Sequence, residues 1–288
     1  MPRRSRASLL ALASILTLAA CGGGSHASAG TTTHAATARG KTRHAAKPRP
    51  LPPTPVLIPP ANPPLRSVTV PVLTYHRVHT LPAVGQLDLI VDPGTFAAEL
   101  QALHDGGYHT IHQWQLFDAL YKGAPLPPKP VIISVDDGYV DDVRTILPDL
   151  ERWHMVATFF VITGRTSEPG FLNAGQIRQL DRAGMDVGDH TAHHVDLRLL
   201  TASELQAETA GSRQALQAIL GHPVYYFAYP FGAYNSTVEA EIRAAGFSMA
   251  YTTAAGTTES TSAPLTMPRI HVGRDETASG LVSILGGA

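Results

Sequence analysis

From residue 68 onward, short apolar runs rich in Val and Ile alternate with longer amphipathic stretches, and this alternation limits the fold more than any other feature of the chain. The strand candidates are Val68–Tyr75, Val131–Val135, Ala157–Ile162, Met185–Gly188, Val224–Ala228, Met249–Thr252 and Met267–Val272. Between them the helix candidates start behind residues that can cap a free backbone N–H. Phe96–Asp105 follows Asp92-Pro93-Gly94-Thr95, Ala174–Ala183 follows Asn173, and Ala202–Leu220 follows Thr201. Gly106-Gly107, Gly184, Gly221 and Gly246 stand where helices must end in a left-handed residue. Strands separated by helices pair in parallel, with the helices outside. The predicted class is α/β, a distorted (β/α)7-type barrel slightly smaller than the eightfold form. A doubly wound open sheet is the alternative, but no Gly-rich phosphate loop follows the first strand.

The segments before this body read differently. Arg3, Arg4 and Arg6 precede the apolar run Leu9–Ala20, which is short for a membrane span and the right size for an export signal. The run ends Leu18-Ala19-Ala20-Cys21-Gly22, which resembles a bacterial lipobox; Cys21 is then acylated, and residues 1–21 form a lipoprotein signal. An ordinary cleaved signal is the alternative. Residues 22–66 are a Thr/Ala/Pro-rich tether in which Pro48 to Pro64 holds nine of the 23 prolines, a composition that forms no core. The catalytic domain is read as 67–288.

Charge excludes one class of partner. Residues 1–66 carry nine Lys and Arg and no Asp or Glu, leaving 13 basic against 23 acidic side chains, a net charge of about −10, for the folded part. A nucleic-acid enzyme needs the opposite sign on its folded surface. Cys21 is the single cysteine, so any metal in the body is held by His and carboxylates.

In parallel α/β folds, reactive groups sit at the carboxyl ends of strands. After Val131–Val135 come Asp136-Asp137-Gly138, and after Met185–Gly188 come Asp189-His190-Thr191-Ala192-His193-His194. Two adjacent carboxylates stay ionised together only with a cation beside them. That assigns one Asp to a metal and the other to proton handling. Asp137, His190 and His194 form a two-histidine, one-carboxylate set with an open position for water, and Asp136 takes the water's proton. His193 competes with its neighbours as a ligand.

Ser134-Val135-Asp136-Asp137-Gly138 and Gly188 to Leu197 resemble the first two motifs of the polysaccharide deacetylase family, also called NodB-homology or carbohydrate esterase family 4; Phe227-Ala228-Tyr229-Pro230-Phe231-Gly232 resembles the third. The resemblance implies Asp136 as general base and Asp137, His190 and His194 around a divalent metal, zinc first, with cobalt or nickel as alternatives. It also implies a groove lined by Tyr229, Pro230 and Phe231, with a backbone N–H near Phe231 facing the oxyanion.

Two departures follow. The third motif usually opens with Arg, where this chain has Ala228, and Arg269 is the candidate substitute for orienting the base. The family's late Leu-x-His motif has no match near the carboxyl end, whereas Leu73-Thr74-Tyr75-His76, with one residue more between Leu and His, resembles it at the end of the first strand. That order resembles the circularly permuted branch of the family, which includes poly-N-acetylglucosamine deacetylases. It implies His76 as the general acid, with His271 as its rival. Trp114 and Tyr139 are candidate sugar platforms.

The expected function is hydrolytic removal of N-acetyl groups from an extracellular N-acetylglucosamine-containing polysaccharide, an attack on a linear amide C–N bond. The alternatives are acetyl-ester hydrolysis on xylan-like glycans and a glycan-binding relic. The expected location is the outer face of a bacterial membrane, anchored through Cys21.

Overall fold

The computed structural model describes residues 55–80 and 87–286; the signal, Cys21 and most of the tether lie outside them. In chain order the body comprises β1 (Ser67–Thr69), β2 (Val72–Tyr75), β3 (Arg77–Val78), β4 (Ile90–Val91), α1 (Pro93–Asp105), β5 (His109–Thr110) and α2 (Gln113–Lys122). Next come β6 (Pro130–Val135), α3 (Leu147–Arg152), β7 (Thr158–Val161), α4 (Ala174–Arg182), β8 (Asp186–Asp189), α5 (Ala202–Gln206) and α6 (Ser212–Leu220). The last elements are β9 (Tyr226–Ala228), α7 (Ser236–Ala244), β10 (Met249–Tyr251), β11 (Thr258–Ser260), β12 (Ile270–His271) and α8 (Ala278–Gly286).

Seven strands pair in parallel in the order β10-β9-β8-β7-β6-β2-β12. The two ends of this sheet meet: the Met267 N–H donates to the Ala250 carbonyl and the Thr252 N–H to the Met267 carbonyl, both at 2.9 Å. The result is the expected distorted seven-stranded barrel with helices around it.

Strand alternation divides the apolar residues into two cores. Leu73, Ile133, Phe159, Val187 and Phe227 face the surrounding helices. Val72, Ile132, Phe160, Tyr226 and Tyr251 face inward, where Leu116, Phe117 and Leu120 of α2 join them. The start of α2 is tied to the first residues of two strands. The Gln113 N–H donates to Asp186 Oδ2 at 2.8 Å, and its side-chain amide donates to Thr158 Oγ1 at 3.1 Å. Helix α2 therefore closes the amino-terminal end of the barrel and leaves the carboxyl end open.

The caps read from sequence are made. Asp92 accepts from the Gly94 N–H, and Asn173 with Gln176 and Thr201 with Glu204 form reciprocal capping boxes. The boundaries differ from the expectation most at three places, and the strand expected over Met267–Val272 is reduced to Ile270–His271. The first strand is broken at Pro71, which has no N–H to donate, and β1 leaves to pair antiparallel with β11. The long helix at 202–220 contains a π-helical turn at Ala207–Gly211. The body also begins before residue 67. Leu57 is fully buried, its carbonyl accepts from Ser248 Oγ, and the Arg66 guanidinium donates to the Leu120 carbonyl at 2.7 Å. The prolines of 55–64 thus belong to a strap laid on the barrel, since an extended segment with few N–H groups needs few partners.

Candidate active site

The open end is built from the strand termini. The Asp136 N–H still pairs with the Tyr75 carbonyl at 2.9 Å, continuing β6 against β2. Asp137 (φ +79°) and Gly138 (φ +74°) then turn the chain through two successive left-handed residues, so the adjacent carboxylates diverge. Glycine takes that conformation freely, whereas an aspartate pays strain for it, as functional sites often do.

Asp136 meets Arg269. The guanidinium donates to both carboxylate oxygens at 2.8 Å, to Ser134 Oγ at 3.3 Å and to the Thr252 carbonyl at 3.1 Å, and both residues are buried. Burial alone would raise the Asp136 pKa. The Arg269 charge, with His190 and His76 adding to it, outweighs burial and holds the carboxyl well below the usual range. Asp136 is thus a fixed acceptor, ionised at rest. Arg269, the candidate substitute for the Arg missing at 228, reaches Asp136 from the residue just before β12.

Asp137 faces the histidines. His190 Nε2 and His194 Nε2 each lie 3.6 Å from Asp137 Oδ1, and among the described residues these three form the one group of such side chains close enough to share an ion. His190 Nδ1 is 2.7 Å from the Ala228 carbonyl, which fixes the ring with Nδ1–H donating and Nε2 turned to the site. Burial pushes the His190 pKa down to about 3 and lowers that of His194 as well, so both rings are neutral and able to ligate. Burial, then the Asp136 charge, pushes Asp137 up to about 7. A cation between Asp137 and the two rings would relieve that repulsion, and two imidazoles with one carboxylate suit a borderline divalent ion such as zinc, cobalt or nickel.

The ligand loop is held from behind. Thr191 (φ +68°) and His194 (φ +55°) are left-handed, and two buried carboxylates secure them. Asp189 accepts from the Thr191 N–H at 2.8 Å and from Ser212 Oγ at 2.7 Å. Glu208 accepts from the His193 N–H at 2.8 Å, and its other oxygen lies 2.6 Å from His193 Nδ1. His193 is therefore turned away to Glu208 and does not join the ligand cluster.

The cavity over these groups has a volume of about 420 Å³ and is also lined by His76, Tyr139, Arg165, Tyr229, Phe231 and His271. His76 is half-buried, its Nδ1 has no hydrogen-bond partner, and burial pushes its pKa down to about 4. His271 lies edge-on to it at 5.8 Å but is exposed, with Nε2 3.2 Å from the Asp88 carbonyl. Phe231, 64% exposed at φ +59°, packs its ring on His194 at 4.7 Å. Tyr229 is buried with an unpartnered hydroxyl, and Pro230 is buried outside the cavity lining, as a support.

The two candidate platforms stand at opposite ends of the barrel. Tyr139 lines the cavity, but Phe171 stacks on it at 4.6 Å and Arg77 lies over its ring at 4.5 Å, so its ring is already in contact with two side chains. Trp114 lies on α2, at the other end of the barrel.

Residues 123–250 match the family model described as polysaccharide deacetylase, a stretch that contains the carboxylate pair, the histidine loop and the Tyr229 turn. The chain carries a polysaccharide deacetylase domain. It is thereby placed among the hydrolases of N-acetyl amide bonds. The Streptococcus pyogenes deacetylase PplD, solved with acetate, is 27% identical with a TM-score of 0.72, over 76% of this chain and 99% of that one. IcaB of Ammonifex degensii is 25% identical with a TM-score of 0.64, over 75% and 97%. The Bacillus subtilis protein YxkH, named for polysaccharide deacetylation, is 28% identical over 203 residues, 70% of this chain and 71% of the relative. His76 and Arg269 fall outside the matched stretch, on either side of it, yet the deacetylase fold brings both to the cavity.

Sequence reasoning missed Arg165, Asp189 and Glu208. Asp189 precedes the first histidine and could have been read as its support; Glu208 lies in a helix with no local signal.

Proposed function

We propose that this deacetylase removes N-acetyl groups from an N-acetylglucosamine polymer of the cell envelope, as a divalent-metal hydrolase with Asp136 as base and His76 as acid. The observation that carries the reading is the separation of the two carboxylates: Asp136 is committed to Arg269, and Asp137 to the two imidazoles. When bound at Asp137, His190 and His194, the ion supplies a Lewis acid for the acetamide carbonyl and lowers the pKa of water.

Asp136 accepts the proton of the attacking water, and Arg269 keeps its two oxygens in place while it does so. The backbone N–H of Phe231, the one free donor of the Tyr229–Phe231 turn, faces the developing oxyanion. His76, neutral at rest with Nδ1 free of other bonds, takes up a proton before it acts and passes it to the departing nitrogen as the C–N bond breaks; the proton that Asp136 takes from the water restores the balance. Water and acetamide give acetate and a free amine.

The His76-first order, which resembles the permuted branch of the family, favours a poly-N-acetylglucosamine substrate. Export and lipid anchoring at Cys21 are supported by the basic residues, the apolar run and the Leu-Ala-Ala-Cys sequence at the start of the chain.

The test is acetate release from N-acetylglucosamine oligomers by the chain stripped of metal and then given zinc, cobalt or nickel. Restored release, abolished in His190→Ala together with metal binding, is the expected result. Release from acetylated xylan alone would move the substrate to an ester, and stoichiometric metal binding with no release from either would leave a binding protein.

A further inference from the structure

The barrel has a second built cavity, at the opposite end from the catalytic one. It measures about 550 Å³ and opens between α2 and the amino-terminal ends of β8 and β9. Its walls include Trp114 and Asp118 from α2, Asp181 from α4, Asp186 at the start of β8, and His222. The proposed reaction uses none of these residues.

Trp114 is 37% exposed, although an indole on a barrel-closing helix could have been buried with Leu116 and Phe117. Its ring is stacked on His112 at 5.9 Å with 20° between the planes. His112 is in turn held by Asp186, with Nδ1 3.3 Å from Oδ1, so the indole rests on a fixed backing. Around it Asp118 contacts Lys122 and Asp181 contacts His222, at 2.7 and 2.9 Å, each through Oδ1. Their Oδ2 atoms have no protein partner among the described contacts.

A supported, partly open indole flanked by carboxylates and imidazoles is suited to one class of ligand. The C–H face of a pyranose ring covers an aromatic plane, while its hydroxyls donate to carboxylate oxygens and exchange hydrogen bonds with imidazole nitrogens. An apolar ligand would strand the carboxylates, and an anion would meet three of them.

We propose that this cavity is a second glycan-binding site, which takes a pyranose ring of the polymer on Trp114 and holds a long chain while the opposite end of the barrel deacetylates it. The ligand class rests on the function proposed above; the geometry of the site does not.

The test uses the full chain carrying Trp153→Phe, in which Trp114 is the remaining tryptophan, with Asp136→Asn added to keep the ligand intact. Titration with tetra-N-acetylchitotetraose should change Trp114 fluorescence saturably, with an affinity about tenfold weaker once Asp118→Asn removes a hydroxyl acceptor. In the otherwise wild-type chain, Trp114→Ala should release acetate from the tetramer at the unaltered rate, which also shows that it folds. Its KM on soluble polymer should rise about tenfold, because the second point of attachment is lost. No saturable change at Trp114, while the unmutated chain releases acetate from the same tetramer, would overturn this site and leave the proposed function standing. A saturable change without release would do the reverse.

Discussion

Arg269 grips Asp136 through both carboxylate oxygens at 2.8 Å, and both side chains are almost wholly buried at the floor of the cavity. Removing one partner of such a pair leaves an uncompensated buried charge. Arg269→Met should therefore destabilise the chain by about 3–5 kcal/mol at pH 7, read by chemical denaturation. Asp136 has a lowered folded pKa, so its stabilising share is present above the unfolded carboxylate range near pH 4 and is lost as pH falls below it. Arg269→Met should flatten that acid limb and shift the acid side of the kcat/KM profile upward. Arg269→Lys should recover part of the stability but not the profile, since an ammonium does not hold two oxygens at once.

Metal loading should be visible in stability as well as in activity. In the metal-free chain, Asp137 is raised to about 7, so its contribution is fully present below the unfolded value near pH 4 and is lost as pH rises through 7. A bound divalent cation removes that loss by holding the carboxylate ionised. The gap in Tm between zinc-loaded and chelator-treated protein should widen from pH 5 to pH 8. Other buried acids with raised values, such as Asp189 and Glu259, titrate in both samples and drop out of the difference. A gap that stays constant with pH would remove Asp137 from the ligand set.

Gly164 is a close-approach position beneath the ligand loop. Its N–H donates to the Ala192 carbonyl at 2.8 Å, and an added Cβ would stand 2.4 Å from that same oxygen. Backbone cannot yield as a side-chain tip can. Gly164→Ala should push the His190–His194 loop out of register and weaken zinc binding about tenfold or more, while far-UV circular dichroism stays unchanged. Isothermal titration with zinc is the direct check.

The parts of this architecture visible in sequence are those with local causes. The inward and outward burial of Val131–Val135, the capping pairs Asn173/Gln176 and Thr201/Glu204, and the Asp136-Asp137-Gly138 turn all follow from neighbours a few residues apart. The Arg269–Asp136 pair was open to a guess because a missing Arg at 228 demanded a replacement, although 133 residues separate the partners. The place of Trp114 was not legible, because an indole in an amphipathic helix does not announce which end of the barrel that helix closes. The strap at 55–66 was misread because proline content reports backbone stiffness and says nothing of Leu57, which is buried. Glu208 had no signal, since its partners lie across a loop and its orientation depends on a π-helical turn.

That turn leads to the last expectation. Glu208 closes the ligand loop by three contacts: its carboxylate takes the His193 N–H and meets His193 Nδ1, and its carbonyl accepts the Ala192 N–H at 3.2 Å. These residues stand between His190 and His194, where Thr191 and His194 hold left-handed conformations that an unsupported loop would relax. Ser212, one helical turn further on, anchors Asp189 from the same segment, so the π-helical turn serves both clamps. Glu208→Ala should keep the barrel, whose core it does not enter, and should weaken zinc binding about 10- to 100-fold, the usual cost of losing an outer support. Glu208→Gln, which retains an acceptor for the His193 N–H, should fall between wild type and alanine. Equal zinc affinity in all three would show that the Asp189–Ser212 clamp holds the loop alone.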